Sequence, residues 1–116
     1  MKSFLKSFVH AIRGIWSGVA DQRNLKVQIA IAAIVVGAGF YFRITPGEWS
    51  IVLLCIGLVL GLEMINSALE SLVDLVTPER KPLAGKIKDI AAGAVLIASC
   101  IAVGIGILIF RKYVME

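Results

Sequence analysis

The feature that most limits what this chain can become is the abrupt end of its most apolar run. "SIVLLCIGLVLGL", residues 50 to 62, holds twelve apolar or glycine residues after one serine. "EMINSALESLVD" follows at once, placing Glu63, Asn66, Glu70 and Asp74 within twelve positions. Neither half contains a proline or a polar turn cluster, so one helix has to carry both an apolar and an acidic portion. At 100° per residue the four polar side chains lie within about 80° of arc, on one face. Charges on a helix that enters a bilayer cost about 2.5–3.5 kcal/mol each at its centre and are retained mainly for chemistry or ion transport.

A bilayer is the setting the rest of the chain asks for. Of 116 residues 59% are hydrophobic and 17% charged, and the mean hydropathy is +0.90. So few charges cannot make the polar shell of a water-soluble domain of this length. The expected fold is all-α: a single integral membrane domain over residues 1–116, with an amphipathic surface helix and three transmembrane helices. Three spans enclose little, so an oligomer is expected.

The surface helix is expected over about residues 3–20, with Phe4, Leu5, Phe8, Val9, Ile12, Ile15, Trp16 and Val19 at helical spacing and Lys2, Lys6 and Arg13 elsewhere. A basic helix with aromatic anchors suits a membrane surface. It is not a signal peptide, because Lys6, His10 and Arg13 interrupt any continuous apolar core. His10 reads as a polar-face residue. The polar junction "ADQRN" leads to spans at about 25–42, 48–76 and 86–110, separated by the breakers Pro46 and Gly47 and then by "TPERKPLAG". Cys55 and Cys100 sit in apolar runs without ligand spacing and read as free thiols.

Nine lysines and arginines fall in the amino-terminal region and second loop, against three in the first loop and tail. Positive charge stays inside, so the amino terminus and the acidic end of the second span are expected on the cytoplasmic side of the membrane. That boundary collects Asp21, Arg23, Glu70, Asp74, Lys86, Lys88 and Asp89. Carboxylates suit Mg²⁺ held together with substrate phosphates, and lysines suit phosphate oxygens. There is no G-x-x-x-x-G-K-[ST] loop and no G-x-G-x-x-G, so a nucleotide site here is not built on a standard fold. Glu63 lies deeper, at the level of a lipid head group. A phosphate source on the water side and a base at lipid level describe a lipid kinase; no nucleic-acid partner is expected. The alternative from another class is a small proton-coupled transporter, but the first span has no acidic residue between Leu25 and Phe42.

The pattern E-x-x-N-[ST]-A-x-E-x-x-V-D, intact at residues 63–74, resembles the signature of the small prokaryotic diacylglycerol kinase family. "AGKIKDIAAGAVLI" resembles the family's third-helix motif, and "FLKSFVHAIRGIW", the "RN" of Arg23 and Asn24, the "EW" of Glu48 and Trp49, and "PLAGKIKD" resemble its Gram-positive branch. The resemblance implies a homotrimer with composite sites and an ATP-dependent kinase acting on undecaprenol, with diacylglycerol as the alternative lipid. It implies Glu63 as catalytic base with Asn66 beside it, Glu70 as a ligand of Mg²⁺, and Asp74, Lys88 and Asp89 in the nucleotide site; Arg23 is counted with them. The chain departs from the family at Gln22, where a second metal-binding glutamate is usual. The Gln22 amide oxygen can ligate Mg²⁺ but brings no negative charge, so either Asp21 alongside substitutes or metal and nucleotide binding are weakened.

Overall fold

The computed structural model describes residues 1–115 and consists of four helices: α1 (Lys2–Asp21), α2 (Arg23–Phe42), α3 (Pro46–Val76) and α4 (Pro82–Val114). The last three are each long and apolar enough to cross a membrane. Large apolar side chains such as Ile34, Leu54, Leu58, Leu96, Ile97 and Ile107 are exposed along them. That inversion is stable where lipid, not water, is the solvent. The radius of gyration, 17.2 Å, exceeds the ~13 Å of a compact domain of this size. The molecule is a slab of 54 × 42 × 20 Å.

Helix ends follow local chemistry more closely than the sequence boundaries did. α3 begins at Pro46, two residues before the expected start near Glu48. Thr45 accepts from the Glu48 N–H at 3.2 Å while the Glu48 carboxylate accepts from the Thr45 N–H at 3.0 Å, and Pro46 needs no N–H in the first turn. α4 likewise starts on a proline, Pro82, so "PLAG" belongs to the helix and only residues 77–81 remain as the loop. The α1–α2 junction shrinks from five residues to one, Gln22, whose extended backbone (φ −111°, ψ 115°) turns the chain between two helices. α2 ends at Arg43, which takes the left-handed conformation (φ 54°, ψ 55°), while the Ile44 N–H donates to the Gly39 carbonyl at 3.2 Å.

α3 and α4 form the principal antiparallel pair. At one end Lys88 meets Asp74; at the other Lys112 and Tyr113 meet Glu48, and Val52 and Ile109 share a buried cluster with Ile44. Equal rise along both helices then brings Glu63 level with about Ala98. α2 packs on α3 where Gly39 meets Trp49: a Cβ on Gly39 would stand 2.7 Å from the indole ring. From that contact Leu25 comes level with Glu63. The 31 residues of α3 reach ~46 Å, against ~30 Å for the hydrocarbon core. The surplus is the stretch beyond Asn66, which extends past the start of α2. The polar stripe therefore lies from that level outward. Glu63 is its innermost member.

Candidate functional site

Two residues of the stripe are buried in the chain itself, Glu63 at 4% and Asn66 at 6% exposure, and Ser67 beside them is buried at 9%. Glu70, one turn on, is half-buried, and Asp74, a further turn on, is exposed. Burying a carboxylate is costly unless a cation or hydrogen-bond donors compensate. Glu63 takes part in neither of the two ion pairs among the described residues. Asn66 Nδ2 donates to Glu70 Oε1 at 3.5 Å, at the edge of a hydrogen bond, while Asn66 Oδ1 is buried without a donor. A buried acceptor without a donor, close along the helix to a buried carboxylate, calls for an explanation beyond the packing of this chain.

Further along the stripe, Lys88 Nζ lies 2.6 Å from Asp74 Oδ1 and joins α3 to α4. The Asp74 side chain is 64% exposed, and exposed pairs contribute only ~0–1 kcal/mol. Lys88 can therefore exchange Asp74 for a phosphate oxygen at small cost. The pair lines a groove of about 510 Å³ completed by the loop residues Thr77, Glu79, Arg80 and Lys81 and the start of α4. Sequence reasoning had used Arg80 and Lys81 only to set orientation and had passed over Ser67. The available signals were the loop's closeness to Asp74 and the i+4 spacing of Ser67 from Glu63.

The remaining sequence candidates are at the same end without joining these contacts. Asp89 and Arg23 are exposed. Asp21 is exposed and accepts from Ser17 Oγ at 3.4 Å, and Gln22 is half-buried at the α1–α2 corner. Among the described residues no group of three or more His, Cys, Asp or Glu side chains gathers closely enough to hold a metal ion. The candidate ligands at this end, Glu70, Asp21 and Gln22, all offer oxygens, which fits a hard cation sharing its coordination with phosphates rather than one caged by protein.

A multi-pass membrane protein whose α3 carries a buried carboxylate, Glu63, and further along the same helix a charged groove at Asp74 has an arrangement suited to a membrane enzyme that brings a water-soluble donor towards a lipid. The sequence model of the family described as prokaryotic diacylglycerol kinase matches residues 9–110. The chain belongs to that family and is a lipid kinase. It is 44% identical to the undecaprenol kinase of Bacillus subtilis (strain 168) over 95% of this chain and 89% of the relative. It is 33% identical to the diacylglycerol kinase of Haemophilus influenzae over 91% and 92%. With the diacylglycerol kinase of Escherichia coli (strain K12), identity is 29% over 79% and 73%.

Proposed function

We propose that this kinase phosphorylates a polyprenol, undecaprenol, in preference to diacylglycerol, working as a homotrimer with its amino terminus and active site on the cytoplasmic side of the bacterial inner membrane. The observation that carries the catalytic reading is the buried Glu63 beside the donorless Asn66 Oδ1. Glu63 takes the proton of the lipid hydroxyl as that oxygen attacks the γ-phosphorus. The new O–P bond forms while the bond from the γ-phosphorus to the bridging oxygen breaks, and ADP leaves. Asn66, tethered through Nδ2 to Glu70, orients the hydroxyl with its free oxygen. Lys88 leaves Asp74 to neutralise phosphate charge, and Arg80 and Lys81 at the groove bind the nucleotide from the loop side; Asp74, Asp89 and Arg23 flank it. Glu70, with Asp21 or Gln22, would hold Mg²⁺, which supplies charge neutralisation on the phosphates when bound. α1 lies on the membrane surface through Phe4, Phe8, Ile12 and Trp16, all of them exposed in the single chain.

The preference for undecaprenol rests on the higher identity to the undecaprenol kinase than to the diacylglycerol kinases. The test is transfer from γ-labelled ATP to each lipid alcohol in mixed micelles. Label in undecaprenyl phosphate at a several-fold higher kcat/KM supports the assignment; equal or greater transfer to diacylglycerol reverses it.

A further inference from the structure

Leu25 is 2% exposed and is the largest fully buried side chain of the described residues. That is an unusual place for it, since Asp21, Arg23, Asn24 and Lys26 around it are all exposed. Its surroundings explain the burial. A Cβ on Gly18 would stand 3.1 Å from Leu25 Cδ2, so α1 closes on Leu25 at a position where no larger side chain fits without displacement. The backbone draws the same corner together: the Gln22 N–H donates to the Gly18 carbonyl at 2.9 Å, and the Lys26 N–H to the Gln22 carbonyl at 3.3 Å.

α1 has nothing else of this kind. None of its residues is buried, and only Gly18 and Val19 are even half-buried. The angle at which α1 leaves the bundle is constrained by the Gly18–Leu25 contact and the single extended residue Gln22, together with the approach of α1 to α3. Leu25 is also level with Glu63 across α2 and α3. The corner thus carries Asp21 and Gln22 past the innermost residue of the site.

We infer that Leu25, seated against Gly18, is a positioning residue that holds the end of α1 in register with Glu63 and Glu70 for phosphoryl transfer. The inference rests on the kinase reading of the site. Neither residue touches reacting atoms. Each acts through the placement of α1, and a misplacement of about 1 Å caused far from the chemistry can lower turnover about 100-fold.

The test is a double-mutant cycle with Gly18→Ala and Leu25→Ala, plus Leu25→Met as the conservative control. Gly18→Ala should lower kcat about tenfold by tilting α1, with the lipid KM changed less than about twofold. Leu25→Ala should lower kcat about as much, and Leu25→Met should restore most of it. In the Leu25→Ala background Gly18→Ala should add less than about a twofold loss, because the atom it would strike is gone. Quenching of Trp16 fluorescence by brominated lipid, read in a Trp49→Phe background because the chain has a second tryptophan, supplies a readout independent of turnover, and it should change in Gly18→Ala. Penalties that multiply, a wild-type kcat in Gly18→Ala, or unchanged Trp16 quenching would each overturn the inference. If Leu25→Ala fails to fold, Gly18→Ala still decides, since it removes no apolar contact. If the unaltered protein transfers phosphate to no lipid alcohol, the kinase reading has failed instead, and Trp16 quenching still reports on the corner.

Discussion

Glu48 and Glu63 sit on the same helix, fifteen residues apart, and the protein treats them in opposite ways. Glu48 has every neighbour it needs. One oxygen accepts from the Thr45 N–H at 3.0 Å and from the Tyr113 hydroxyl, and the other lies 2.7 Å from Lys112 Nζ. Glu63 is more deeply buried, joins neither ion pair, and neighbours an amide oxygen with no donor. A carboxylate satisfied within one chain fastens the start of α3 to the end of α4. In the proposed mechanism the one without a cation beside it receives the lipid hydroxyl. On that proposal the two ends of α3 divide stability and chemistry between them, and substitutions should separate the two.

The largest effect is expected at Glu63. Glu63→Gln keeps shape but loses the proton acceptor, so kcat should fall ~100-fold or more while helix content and melting temperature hold. The matching change, Glu48→Gln, should do the reverse: the melting temperature falls as the partners of the carboxylate lose charge and geometry, with turnover per folded enzyme unchanged. Thermal melts in detergent and steady-state assays on the same preparations measure both. A Glu63→Gln protein with near-normal turnover would remove Glu63 from the mechanism and with it the contrast between the two ends.

Glu70 refines the picture of the chemical end. Glu70→Ala should raise the Mg²⁺ requirement and the apparent KM for ATP several-fold, well beyond any change in the lipid KM. Equal effects on both substrates would mean that Glu70 supports the fold, as Glu48 does. Gln22→Glu adds a hard anionic oxygen at the corner, and should lower the Mg²⁺ concentration for half-maximal activity by about two- to fivefold. Asp21→Ala should then hurt more beside Gln22 than beside the new glutamate. Unmoved Mg²⁺ curves in all four combinations would place the metal away from this corner.

How much of this was readable from residues alone differs between the two ends, for physical reasons. The stripe from Glu63 to Asp74 was legible because helical periodicity fixes which side chains share a face before any tertiary contact exists. Its closing pair, Asp74 with Lys88, was half-legible, since a short loop obliges the two helix ends to meet. The Glu48 latch was not, because Tyr113 lies 65 positions away and only the register of α3 on α4 brings them together. Pro82 misled as a breaker: its missing N–H ends a helix from within but begins one at the first turn. Leu25 read as the opening residue of a span. Its burial comes from the one-residue junction at Gln22, and composition carries no trace of that. The donor for Asn66 Oδ1 is absent from the single chain, so neither sequence periodicity nor intrachain packing supplies it.

The smallest predicted effect lies at the stable end and tests whether that end is free of function. Arg43 is the one non-glycine residue with positive φ among those described, at φ 54° and ψ 55°. A side chain in this conformation costs ~1–2 kcal/mol, and glycine adopts it freely. Against this gain, glycine loosens the unfolded chain by roughly 0.5–1 kcal/mol. Arg43 makes no ion pair among the described residues, so no contact of that kind is forfeited. The balance favours Arg43→Gly by up to about 1 kcal/mol, seen as a rise of a few degrees in melting temperature. Turnover and both KM values should not move, because Arg43 lies a full α2 length from the α1–α2 corner. A gain in stability accompanied by a loss of turnover would show that strain at this turn is felt at Glu63, and that the division between the two ends of α3 is incomplete.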